Sequence, residues 1–120
     1  MSALLALALQ AIAMPPADWS GLPELPIAAG RVMVDPSAYV RREVAAGRCR
    51  AAPADGALEV AAPVAVLVDA GGRVARVVPR AIGCSTVEQF TAGYVSTIAR
   101  RTAGLQPGWY RHVVTYRWAG

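Results

Sequence analysis

Lysine is absent from this chain of 120 residues: all twelve basic residues are arginine, against eight acidic ones, for a formal charge of +4. Charged residues make up only 17%, too few for a long coiled coil, and 55% hydrophobic content is too high for a disordered chain. The length suits one compact domain. The arginines are scattered as Arg31, Arg41 and Arg42, Arg48 and Arg50, Arg73, Arg76 and Arg80, Arg100 and Arg101, Arg111 and Arg117. No basic run interleaves with aromatics, so no nucleic-acid partner is expected. With 25 alanines beside it, the arginine bias fits a GC-rich genome as readily as selection for binding.

Histidine and cysteine are nearly as scarce. His112 is the only histidine, and Cys49 and Cys84 are the only cysteines, with no CxxC pair. That set is too small for a tetrahedral zinc site, and neither a metal nor another cofactor is expected. The cysteines leave two readings. A Cys49–Cys84 disulfide would close a loop of about 35 residues and contribute roughly 3–4 kcal/mol in an oxidising compartment. Alternatively, both are buried thiols acting as small apolar side chains.

Catalytic groups are equally thin. A nucleophile needs a base within hydrogen-bond reach, and paired carboxylates need a shared cleft. Asp69 falls in a turn, Ser85 at a helix start and His112 on an aromatic strand face, each explained without catalysis. Gly71-Gly72 joins two strands rather than a strand and a helix, so it is no phosphate loop. Neither enzyme activity nor a small-molecule substrate is expected.

Three regions follow along the chain. Residues 1–13 contain the apolar run Ala3 to Ala13, ending in Ala11-Ile12-Ala13, a small-x-small pattern before Pro15-Pro16. Eleven helical residues span about 16 Å against about 30 Å of hydrocarbon, so the run has the length of a signal-peptide core. No Lys or Arg precedes it, which keeps a buried helix or a membrane anchor open. Residues 14–34 read as an extended lead-in with Trp19, Pro23 and Pro26.

Residues 35–120 carry the regular elements. Asp35 and Pro36 start a short helix that Gly47 ends, with Tyr39, Val40 and Val44 inward and Arg41, Arg42 and Glu43 outward. Ala51 to Leu58 has loop composition. Glu59 to Asp69 and Arg73 to Arg80 form a hairpin about Asp69-Ala70-Gly71-Gly72, with a bulge or edge position where Val74 and Val77 break alternation. Ser85-x-x-Glu88 is a capping box for a helix whose face is Val87, Phe90, Thr91, Tyr94, Val95 and Ile98. Trp109 to Trp118 is the last strand, with His112, Val114 and Tyr116 on one face and Arg111, Val113, Thr115 and Arg117 on the other. The expectation is an α+β fold: a small three-stranded antiparallel sheet packed by a long helix, with an additional short N-terminal helix.

This order resembles the C-terminal domain of the TonB family. The resemblance lies in Tyr39 to Gly47, in the hairpin Val64-Ala-Val-Leu-Val-Asp69-Ala-Gly-Gly72-Arg-Val74-Ala-Arg-Val77, and in Val114-Thr-Tyr116-Arg-Trp118. The chain departs from the family at Val40, where proline is usual, and at Thr102 to Pro107, where an aromatic-x-aromatic-x-Pro-Ala segment is usual. It also shows neither a spanning anchor nor a long proline-rich spacer.

The resemblance implies a periplasmic binding module, with inner-membrane association as the alternative location. Its partner would be an envelope protein or an outer-membrane receptor peptide, added as a strand beside Arg111, Val113, Thr115 and Arg117. The competing reading is a structural or self-associating envelope protein, such as a homodimer, with a disulfide-stapled α+β fold and no transport role.

Overall fold

Helix α1 (Ser37–Ala45) follows Pro36, whose φ of −67° is already helical. In this computed structural model, residues 14–27, 36–100, 102 and 104–120 are described. The apolar leader, the Asp35 cap, residues 28–34 of the lead-in and Arg101 lie outside the described residues. Gly47 ends α1 at φ +79°. Its amide donates to Val44 O and the Arg48 amide to Glu43 O, both at 3.0 Å, the paired bonds of a Schellman motif.

Val40 is fully buried, but Glu43, expected outward, is buried too. Three residues on from Val40, it shares that face of the helix. Its carboxylate is fully engaged, accepting from Thr86 Oγ1 at 2.6 Å and from the Arg48 guanidinium at 3.0 Å. Burial of a carboxylate demands such pairing.

The sheet has four strands rather than three: β1 (Ala52–Ala54), β2 (Ala57–Val68), β3 (Val74–Pro79) and β4 (Gly108–Ala119). The extra strand comes from Asp55-Gly56, where the sequence reading has only a loop. Both residues take positive φ, +48° and +79°, the conformation of the two-residue turn that folds a hairpin tightly. Asp69 organises the next turn. Its Oδ1 accepts from the amides of Gly71 at 2.9 Å and Arg73 at 3.1 Å. Leu67 pairs with Arg76 and Val68 with Val74, which bulges Ala75 out of the ladder and accounts for the broken alternation.

Strand β2 is the centre. All of it pairs antiparallel with β4 along one edge, from Ala57 opposite Ala119 to Val68 opposite Gly108. Its other edge is shared by β1 at residues 57–59 and β3 at residues 64–68. Pro63 is tolerated mid-strand because it lies just past the β3 ladder, where its carbonyl accepts from the Arg80 amide at 3.0 Å and no strand residue calls on its missing N–H.

Helix α2 (Ser85–Ala99) covers the face made by Val60, Ala62, Val64, Val66 and Val68 of β2 with Val114 and Tyr116 of β4. Val87, Thr91, Val95 and Ala99, four residues apart, form its buried line. The cap sits one residue earlier than the capping box predicts. Cys84, at φ −148°, is the N-cap and Ser85 the first helical residue. Glu88 still reaches back, its Oε2 accepting from the amides of Cys84 at 3.1 Å and Ile82 at 3.0 Å. Cys84 is bonded to Cys49, with Cα atoms 5.2 Å apart, which joins the end of α1 to the start of α2.

One buried polar contact ties α2 to β4. The single hydroxyl proton of Thr91 goes to Val87 O at 2.7 Å, so the Tyr116 hydroxyl, 2.7 Å away, donates to Thr91 Oγ1. Burial raises the Tyr116 pKa above its usual 10.0. Thr91→Val would leave that phenol buried without an acceptor, and urea denaturation should show a loss of about 1–3 kcal/mol. Adding Tyr116→Phe should recover part of the loss, because it removes the orphaned donor. Additive losses would show that the two hydroxyls are not coupled.

Candidate functional site

Backbone groups of a strand point alternately to either side, as its side chains alternate between faces. In β4, the Arg111 amide and carbonyl point away from β2. Residues two apart repeat that direction, so Val113, Thr115 and Arg117 also present N–H and C=O to the outer edge. Among the described residues no strand pairs with them there. They span about 14 Å of open edge. Their side chains lie on the face opposite α2, with Val113 44% exposed and Thr115 and Arg117 exposed as well.

The four candidate edge residues therefore share one strand face and one backbone edge, but they are not equivalent. Arg111 is already engaged by the lead-in. Its amide donates to Pro23 O and its carbonyl accepts from the Leu25 amide, both at 2.9 Å, which makes a parallel bridge centred on Glu24. Arg111 Nε stands 3.4 Å from Glu24 Oε1, and its Nη1 donates to Ser20 O at 3.3 Å. Arg117 turns its guanidinium to β1, donating to Ala54 O at 3.0 Å.

The lead-in is extended, as expected, and packs on the domain. Leu25 is buried in the main core, and Trp19 is buried beneath the Arg80 guanidinium, 4.3 Å from the ring centre. That is cation–π distance. Asp18 accepts from the Ser20 amide at 2.9 Å and hydroxyl at 2.7 Å. These bonds, the amide first, hold its carboxyl below the usual 3.8 despite some desolvation, with a smaller contribution from Arg80.

Sequence reasoning missed Glu24 and Leu25 as parts of this edge and Trp19 as the lead-in's contact with Arg80. The usable signal was two large apolar residues in a stretch whose prolines favour extended backbone.

The remaining candidates take structural positions. Asp69 braces its turn, and Cys49 and Cys84 are bonded to each other. His112 is half-buried on the core side of β4, opposite Val64. A cavity of about 170 Å³ lies where β1 and β3 leave β2 unpaired, lined by the disulfide with Arg50, Glu59, Ala61 and Ile82 among others. No group of three His, Cys, Asp or Glu side chains converges to hold a metal among the described residues. No described helix is long and apolar enough to cross a membrane.

Burial lowers the His112 pKa from its usual 6.5, with Glu24 opposing the shift. The unfolded chain therefore takes up the proton first, so stability should fall as pH drops through 6.5 toward the folded value and level off below it. Urea midpoints from pH 8 to 5 should show a shallower fall in His112→Gln than in the wild type. An identical profile would show that another group sets the acid dependence.

Comparison with protein-family models, with curated proteins and with solved structures finds no match for this chain.

Proposed function

We propose that this protein is a non-catalytic periplasmic module of the TonB C-terminal kind, which takes up an extended segment of an envelope protein by strand addition along the outer edge of β4. One observation carries the reading. The edge accepts an extended segment at Arg111, and among the described residues the same edge continues without a strand partner through Val113, Thr115 and Arg117.

Strand addition draws affinity from backbone hydrogen bonds and selectivity from alternate side chains. Here the groups are three outward N–H and C=O pairs, with Val113 and Thr115 exposed beside them. Exposed edges of this kind invite unwanted pairing, and the arginines at either end temper that hazard. The element order, α1, the β2–β3 hairpin, α2 and β4, supports the family resemblance. The Cys49–Cys84 bond suits an oxidising compartment and so supports a periplasmic location.

Thr115→Pro separates edge chemistry from folding, because it removes an outward N–H while leaving the inward ladder to β2 intact. Peptides selected from a displayed random 12-residue library against the wild type should perturb the amide resonances of Val113 to Arg117. They should bind the Thr115→Pro chain at least tenfold more weakly, with its melting point within a few degrees of wild type. Undiminished binding, or shifts confined to β3, would contradict the proposal. A wild-type dimer closed through β4, made monomeric by the same substitution, would favour the self-associating envelope protein instead.

A further inference from the structure

We infer that residues 23–25 act as an internal pseudo-ligand, and that the partner is an extended segment running parallel to β4 with an acidic residue opposite Arg111 followed by a large aliphatic residue. This rests on the strand-addition reading above and specifies the chemistry of its ligand. Glu24 stands beside Arg111 on the open face, while Leu25, the next residue, turns through the sheet edge into the core. Acid and aliphatic residue thus occupy the two faces that a parallel strand would reach at this point.

The internal segment fills this place incompletely. In a parallel ladder, the groups after the Arg111 bridge that would meet Val113 are the Leu25 carbonyl and the Ile27 amide. Here those two groups bond to each other at 2.9 Å across Pro26, in an i to i+2 turn. Among the described residues the ladder stops after this one bridge, and the ring of Pro26, at the centre of the turn, fixes its φ.

Arg111 is left short as well. Its Nε is buried without a hydrogen-bond partner, although Glu24 Oε1 lies 3.4 Å away. A partner without the turn at position 26 can continue past Val113 and place its carboxylate to accept from Nε. Being tethered, the internal segment competes at high effective concentration. It keeps the edge covered against weak partners and yields to one that completes the ladder.

The test uses the full-length chain and a labelled synthetic peptide of residues 20–27 carrying Pro26→Val. A second peptide also carries Glu24→Lys and Leu25→Ser. In fluorescence anisotropy, the first peptide should bind the Glu24→Arg chain at least tenfold tighter than the wild type, because the internal segment is then repelled by Arg111. The second peptide should bind that chain at least tenfold more weakly than the first. Glu24 is exposed, so its replacement leaves the core intact. A Leu25→Ser chain provides a second release variant and should behave in the same way.

Equal affinity for wild-type and released chains would overturn the competition, and equal affinity for the two peptides would overturn the ligand chemistry. If neither peptide binds while library peptides still map to Val113 to Arg117, this inference fails and strand addition stands. If no peptide of any kind binds, both fail.

Discussion

The pairing of β2 with β4 over their whole lengths is the constraint from which the rest follows. By committing one edge of β2 to β4, it leaves β1 and β3 to divide the other and makes β4 an outer strand. It also fixes which β4 residues face inward. His112, Val114 and Tyr116 look toward α2, and Tyr116 reaches Thr91 there, so slipping β4 by one residue would bury Arg111, Thr115 and Arg117 instead. The register that builds the core therefore also decides which backbone groups remain available outside it.

The junction of the two helices is held by different means. The Cys49–Cys84 bond, the Glu43 contacts with Arg48 and Thr86, and the Glu88 contacts with Cys84 and Ile82 gather where α1 ends and α2 begins. One covalent bond and two buried or part-buried carboxylates thus fix the helix junction. The lead-in relies on two backbone bonds to Arg111, an exposed Glu24–Arg111 pair, one buried leucine and a tryptophan beneath Arg80. Contacts of this kind open locally at lower cost than a core strand does, which suits the proposed displacement of this segment.

Much of this was legible in residue spacing. The face of α2, the glycine end of α1, the Asp69 turn and the irregularity of β3 each follow from local rules, because each depends on neighbours within a few positions. Glu43 and Ser85 show the limit. Helical spacing alone places Glu43 on the Val40 face, but the polarity of a carboxylate argues the other way until Thr86 and Arg48 are seen beside it. Ser85 has the right composition for a cap, yet the bonded Cys84 takes that position. Asp55-Gly56 was a readable hairpin signal obscured by its alanine- and proline-rich surroundings. The docking of Pro23 to Leu25 on Arg111 was not readable, since it joins distant segments through backbone groups that any sequence possesses. The outward set Arg111, Val113, Thr115 and Arg117 was legible as a face. That β4 stands at the sheet margin depends on the pairing order of the whole sheet.

Amide hydrogen exchange along β4, resolved residue by residue, tests this account most directly. The account predicts alternation: His112, Val114, Tyr116 and Trp118 protected by β2, Arg111 protected more weakly by the lead-in, and Val113, Thr115 and Arg117 exchanging fast. Uniform protection of all the odd-numbered residues in the monomeric protein would mean the edge is already closed, and would contradict it.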